Sequence, residues 1–360
     1  MKYISIFLMI VLFVSCTKME NIEELKTVKL TKLYTIEGFT EEATRKEMFV
    51  TSYGIKADNK NKLYIYNKIT GSIKVFDENG DFYSEISGRG MGPEEIEAYI
   101  EYYLHRDTVF VVDNNIKVKK FLSNGKYLDT KIRDRDLSLD DIFLPINIKY
   151  LNDSTIISKM LQFRREDGEL FLRNGLALID ADTNLKKMIY KTKEINYARE
   201  GQTSMWFSPL ITHSRERIFL SFMSKSEYKI NVYDYLGNEL EPIIKKYRKQ
   251  KFSDVELKLA RIYHEKNNLD PNIFHSMYDY SPSVLDVEAD KYGNLWVLRG
   301  YMGYEMVFDI FKDGKLYSEY KFNLRNEDDS RALKEVFFKD RMYIIDHDEN
   351  LIDVYDYEFE

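Results

Sequence analysis

The stretch Ala57-Asp58-Asn59-Lys60-Asn61-Lys62-Leu63-Tyr64-Ile65-Tyr66-Asn67 decides the reading of this chain, because its pattern recurs almost to the C-terminus. Next come Ile73-Lys74-Val75-Phe76-Asp77-Glu78-Asn79-Gly80 and a third short run ending at Ile86. The glycine-rich segment Ser87-Gly88-Arg89-Gly90-Met91-Gly92-Pro93 closes the unit. Each apolar run alternates as a strand does, one side chain in two to a face. Asn-Gly supplies the positive φ that a tight hairpin demands.

Working outward, five further copies keep the same order of turn, short apolar strand and polar stop. The second is Arg106-Asp107 with Val109-Phe110-Val111-Val112 and Asp113; the third, weaker, is Asn152-Asp153 with Thr155-Ile156-Ile157-Ser158. The fourth is Arg215-Glu216 with Ile218-Phe219-Leu220-Ser221. The fifth, Asp290-Lys291-Tyr292-Gly293-Asn294-Leu295-Trp296-Val297-Leu298, is nearly as clear as the first, and Lys339-Asp340-Arg341-Met342-Tyr343-Ile344-Ile345-Asp346 is the sixth. The anchor positions 63, 109, 156, 218, 295 and 342 are separated by 46, 47, 62, 77 and 47 residues. A period in the forties with about four strands per unit marks a β-propeller blade, and the two longer gaps are insertions. The expected fold is therefore all-β, a six-bladed β-propeller over residues 28–360.

The sixth copy ends after a third strand. Val28–Glu37 reads as one more strand, expected to complete that blade and fasten the ring, since an open ring would leave exposed edges. In the longest gap, Ser253-Asp254-Val255-Glu256 fits a capping box, and Val255, Leu259, Ile262 and Tyr263 share a helical face. One short helix over about 253–267 is expected there.

Composition agrees with a large β domain: 28 Tyr and 22 Phe favour half-buried pleated surfaces. A net charge of -7 disfavours a nucleic-acid partner, which needs clustered Lys and Arg. The chain opens Met1-Lys2 and then runs about 12 nearly uninterrupted apolar residues from Tyr3 to Val14. That is a signal-peptide length, short of the roughly 20 needed to span a bilayer. The chain's single cysteine, Cys16, stands at its end. Leu12-Phe13-Val14-Ser15-Cys16 resembles the bacterial lipobox, with Phe13 where Leu is usual. The expectation is a signal peptide over residues 1–15, diacylation of Cys16, and a tether over 16–27. Several acyl chains on one residue suffice for stable membrane anchoring.

The pattern from Asp58 through Pro93 resembles NHL-type repeats, and the chain over roughly 28–360 resembles the six-bladed β-propeller lipoproteins common in gut anaerobes. That resemblance implies an outer-membrane lipoprotein of the cell envelope. It also implies that loops after the second and fourth strands of each blade share the ligand-binding face.

Gly88-Arg89-Gly90-Met91-Gly92-Pro93 lacks both the third glycine of a dinucleotide fingerprint and the Gly-Lys-Ser/Thr of a P-loop. Its glycines suit a tight crossover between blades, with Arg89 presented to an anionic ligand. The residues ending the aligned strands are Asn67, Asp113, Met160, Phe222, Arg299 and Asp346, expected around one mouth of the central channel. Propeller lactonases bind a divalent metal there through carboxylate and Asn oxygens. Here Asn67, Asp113 and Asp346 qualify as calcium donors, while Asp and Asn after strands equally serve as turn formers. The histidines His105, His213, His264, His275 and His347 show no ligand spacing. Lys245–Lys251 carries five positive charges in seven positions, a run that suits a solvated surface or an anionic partner. Met205-Trp206-Phe207 and Tyr301-Met302-Gly303-Tyr304 are aromatic clusters suited to inter-blade packing or to stacking on sugars. The reading is a monomeric, lipid-anchored binding or scaffold propeller for an unknown small-molecule, glycan or protein ligand, without cofactor. The competing reading is a metal-dependent hydrolase or lyase on the same fold.

Overall fold

Asp58 closes its turn with its own side chain. Oδ1 accepts the backbone N–H groups of Lys60 and Lys62 at 2.8 and 3.0 Å, and Oδ2 accepts the Tyr64 hydroxyl at 3.1 Å. Asp290 repeats the device: Oδ1 accepts Tyr292 and Asn294 N–H at 2.9 and 2.8 Å, and Oδ2 accepts Asn294 Nδ2 and Trp296 Nε1, both at 2.9 Å. Asp side chains favour such turns because the carboxylate can accept amides two and four residues on. The aromatic six residues later ties the turn to the strand it feeds. Asp77 and Asp234 build the same backbone loop at other hairpins.

The computed structural model describes residues 25–38, 49, 54–113, 117–132, 142–167, 169–180, 185–192, 194–196, 209–214, 216–252, 254, 257–258, 261, 265, 279–299, 305–323, 334–346 and 350–360. After β1 (Val28–Glu37), blade 1 is β2 (Ile55–Ala57), β3 (Leu63–Asn67), β4 (Ser72–Phe76) and β5 (Phe82–Ile86). Blade 2 is β6 (Tyr99–His105), β7 (Thr108–Asp113), β8 (Lys117–Leu122) and β9 (Tyr127–Ile132). Blade 3 is β10 (Ile142–Tyr150), β11 (Ile156–Glu166), β12 (Glu169–Ile179) and β13 (Leu185–Lys191), with β14 (Ile195–Asn196) added beside β12. Blade 4 is β15 (Pro209–His213), β16 (Arg217–Phe222), β17 (Tyr228–Asp234) and β18 (Glu239–Lys245). Blade 5 is β19 (Asp286–Ala289), β20 (Leu295–Leu298), β21 (Glu305–Lys312) and β22 (Lys315–Asn323). Blade 6 takes β23 (Lys334–Phe338), β24 (Met342–Asp346) and β25 (Leu351–Phe359), with β1 paired antiparallel to β25.

Strands pair in sequence order within each sheet, so neighbours run antiparallel and turns fall on two opposite faces. Turns between second and third strands, and the crossovers between blades, share one face, here called the upper. Turns between first and second and between third and fourth strands share the lower. The first strands converge on the axis, where β6 touches β10, β15 touches β19, and β19 touches β23.

The core is six inter-blade layers. Leu63 and Ile65 pack with Ile345, Ile352 and Val354 of blade 6, whereas Tyr64 between them packs with Val109 and Val111 of blade 2. The same alternation joins blades 2 and 3, 3 and 4, 4 and 5, and 5 and 6. Strands buried on both faces need apolar residues at nearly every position. That explains the uninterrupted runs in β20 and β24, which are buried throughout. A register shift recurs where the third strand meets the fourth, at Val75/Phe76, Lys120/Phe121 and Ile310/Phe311. Such bulges increase local twist, as splayed blades require.

Blade 3 departs from the expected length. Its second strand is expected to end at Met160, but β11 runs to Glu166 and pairs with β12 along its whole length. Met160 is therefore a mid-strand residue. Six residues beyond it lift this hairpin about 20 Å above the rim. Asp254, Leu257, Lys258, Arg261 and Glu265 are helical, in the stretch where a helix was expected. The remainder of 253–267, residues 1–24 with Cys16, both aromatic clusters, and His264, His275 and His347 lie outside the described residues.

The Asp290 carboxylate is buried, which pushes its pKa up against hydrogen bonds that pull it down. Replacing it strands the Trp296 indole N–H, which is 1% exposed. Asp290→Ala is expected to cost about 3 kcal/mol and Asp234→Ala, in an exposed turn, clearly less. Urea melts of the two variants check the ranking, and equal losses would contradict it.

Candidate functional site

The crossover from β5 to β6 is fastened before it presents anything. Arg89 N–H donates to Thr70 O at 3.1 Å, Ile96 N–H to Gly88 O at 2.8 Å, and Gly90 N–H to Ile96 O at 3.1 Å. Gly71, at φ +68°, passes so close that a Cβ there would stand 2.8 Å from Arg89 Cβ. Only glycine takes both that backbone and that approach without strain. From below, Lys119 Nζ donates to Gly92 O at 3.1 Å and to Glu95 O. Arg89 itself is exposed, and among the described residues its guanidinium makes no hydrogen bond or ion pair. Beside it stand two exposed apolar side chains, Met91 (85% exposed) and Ile69 (68%). Tyr66 stacks on Tyr99 nearby, with ring centroids 3.5 Å apart.

The other expected site residues lie on or just after the second strand of their blades, one strand outward from the axis. Asn67, Asp113 and Asp346 end β3, β7 and β24, and Arg299 follows β20. Asn67 Oδ1 accepts Ile69 N–H at 3.1 Å. Asp113 is fully buried; Oδ1 accepts Ala98 N–H at 2.7 Å and Oδ2 lies 3.3 Å from Lys119 Nζ. These oxygens already serve turns and a buried ion pair, so the pair does not fit a calcium site as it stands. Among the described residues no three His, Cys, Asp or Glu side chains converge as cation ligands.

Arg299 belongs to a charge cluster between blades 4 and 5. Its Nε lies 3.2 Å from Asp309 Oδ1 and its Nη2 3.5 Å from Glu319 Oε2. Lys245 Nζ reaches the same two carboxylates at 2.9 and 3.0 Å. Burial would raise Glu319, but the Lys245 hydrogen bond and the Arg299 charge hold it below the usual carboxylate range. Beside them the Tyr228 phenol is pushed far up, by burial first and by the Asp309 charge second. The cluster pairs two cations with two anions and locks the adjoining blades.

A second set of charges lines the axis itself. Lys56 Nζ meets Glu101 Oε1 at 3.2 Å, and that oxygen also lies 3.3 Å from Ile148 N–H. Lys149 Nζ reaches Glu288 Oε1 at 3.5 Å and Ile211 O at 3.2 Å, and Thr212 Oγ1 donates to Glu288 Oε2 at 3.2 Å. The Lys149–Glu288 pair joins blades 3 and 5 across blade 4, which only groups near the axis can do. Sequence reasoning passed over these four residues because it aligned the second strands. Their signal was a charged side chain inside each run preceding an anchor. At the lower end of β15, His213 Nδ1 lies 3.3 Å from Tyr235 Oη, which in turn donates to Ser214 O.

Residues 13–243 match the family described as 6-bladed beta-propeller, and the chain belongs to that family. Among solved structures, a member of the duf4221 family from Bacteroides vulgatus is 14% identical over 92% of this chain and 98% of that one, with a TM-score of 0.53. Virginiamycin B lyase from Staphylococcus aureus is 10% identical over 92% and 99%, at 0.46, and BamB from Moraxella catarrhalis 10% identical over 91% and 100%, at 0.36. At 14% identity the likeness to the Bacteroides vulgatus protein is one of fold alone. A comparison with the curated proteins finds no match.

Burial, then the charges of Lys149 and Lys339, lower the pKa of His213 to about 4. The unfolded imidazole titrates near 6.5, so the contribution is complete above pH 6.5 and is lost as pH falls towards 4. The loss amounts to about 3 kcal/mol. Urea denaturation at pH 7 and pH 4 should show wild type losing that much more than His213→Asn. An identical pH dependence of the two would contradict the assignment.

Proposed function

We propose that this chain is an extracytoplasmic, lipid-anchored propeller of the cell envelope that binds an anionic ligand, an acidic glycan or peptide, on its upper face. It acts as a monomeric binding or scaffold module held to the outer membrane through acylated Cys16. The observation that supports this most is the contrast between Arg89 and its fellow candidates. Asn67, Asp113 and Arg299 are engaged in holding loops and blades, while Arg89 stands exposed with no described partner on a loop fixed at both ends. A guanidinium presents a planar fork of donors matched to carboxylate or phosphate, and Met91 and Ile69 add apolar surface on either side. The rigid loop lowers the entropic cost of engaging a partner.

The lyase or hydrolase reading asks for carboxylate oxygens free to take a metal. At Asp113 they already accept an amide and face Lys119, so a cation there would have to displace both.

The test uses polygalacturonate and poly-glutamate as glycan and peptide probes. Wild type should bind one of them, with affinity falling at least about tenfold, or about 1.4 kcal/mol, in Arg89→Ala and partly restored in Arg89→Lys. An Arg89→Ala protein that melts normally and binds as wild type would overturn the proposal.

A further inference from the structure

The path of β1 fixes where the anchor leaves the ring. Val28 pairs with Phe359 and Glu37 with Leu351, and Leu351 pairs in turn with Asp346 at the upper end of β24. β1 therefore enters at the lower face and climbs to the upper. Below Val28 the chain is pinned again. Thr27 and Glu360 exchange backbone hydrogen bonds at 3.3 and 3.0 Å, and Lys26 N–H donates to Tyr317 O at 3.2 Å. Lys26 O accepts the Ser318 hydroxyl, and Lys29 pairs with Glu358 and Glu360 at 3.2 and 3.4 Å. The tether thus departs from the lower rim, between the outer strands of blades 5 and 6.

Its length limits how the ring can sit. Ten residue steps separate Cys16 from Lys26. Fully extended, they reach about 35 Å. The ten residues of β1 climb about 33 Å from one face to the other. A tether starting at the lower rim would be spent merely in reaching the upper one, with nothing left for entry into a bilayer. Two side chains, one beside that exit and one on blade 4, give the lower face exposed apolar tips. Leu236, in the outer hairpin of blade 4, is 72% exposed, and Tyr292, in the first turn of blade 5, is 55% exposed. Tyr292 is braced edge-on by Tyr357 and Phe359, beside the point where the tether is pinned. A braced tyrosine and an exposed leucine suit a headgroup interface, where amphipathic and apolar tips both find partners.

We infer that the lower face, on the side of Leu236 and Tyr292, is the membrane-facing side of the ring. Arg89, Ile69 and Met91 are then directed away from the bilayer, open to a ligand outside it. The inference rests on the acylation of Cys16 proposed above. It adds which face meets lipid and which meets the ligand.

The chain's only cysteine is Cys16, so a second one can be labelled without ambiguity once the first is acylated. Full-length protein carrying Leu236→Cys, Tyr292→Cys, Ile69→Cys or Met91→Cys, each labelled with bimane, is reconstituted in phosphatidylethanolamine–phosphatidylglycerol vesicles containing a headgroup-quencher lipid. In protein that floats with the vesicles, quenching at positions 236 and 292 should exceed that at 69 and 91 several-fold. Equal or reversed quenching in floating protein overturns the orientation and leaves acylation standing. Protein that fails to float refutes acylation, and the orientation falls with it. Equal loss of the Leu236 and Tyr292 signals in a Cys16→Ser chain identifies the anchor as the source of the effect.

Discussion

Every blade depends on having its two faces covered by neighbours. Tyr64 turns one way and Leu63 and Ile65 the other, and all three are essentially inaccessible to water. A single four-stranded sheet carrying such faces would expose two apolar surfaces at once. Burial of each large side chain contributes about 1.5–3 kcal/mol, and a blade collects it only when both neighbours are in place. Blades 6 and 1 must therefore meet as the other neighbours do, and blade 6 takes strands from both halves of the chain. β1 meets β25, Tyr34 accepts a hydrogen bond from Arg341, and Arg341 also donates to Glu78 O across the joint with blade 1.

Polar groups are placed to serve that packing. The Asp58 and Asp290 turns return buried amides to satisfied partners, and burial makes each aromatic hydroxyl or indole N–H costly to leave unpaired. Arg299, Lys245, Asp309 and Glu319 knit blades 4 and 5, and Lys149 with Glu288 ties blade 3 to blade 5 at the axis. Arg89 differs in kind, because its loop is fixed by backbone bonds while its side chain is left out of them.

Much of the architecture was legible because the turn chemistry repeats. Copies with an Asp turn and an aromatic strand, at Asp58 and Asp290, stood out, and the six anchor positions aligned on them set the blade number. The third copy was faint because β11 and β12 run far past the rim, so its strand has no polar stop where Asn67 and Asp113 supply one. The candidate site was legible only in part. Ends of second strands can be aligned by eye, but whether a carboxylate is free or committed to Lys119 depends on a residue from another strand. The axial residues Lys56, Glu101, Lys149 and Glu288 were hidden because each is an ordinary charged residue in its own strand. They become a group only when the first strands converge.

Closure by the N-terminal strand is the claim on which the rest stands. It is tested most directly by urea unfolding of a chain lacking residues 25–38, with and without a synthetic peptide of that sequence. The shortened chain should lose the single cooperative transition of the whole ring, and the peptide should restore it. A shortened chain that unfolds with the midpoint and slope of the intact protein would contradict it.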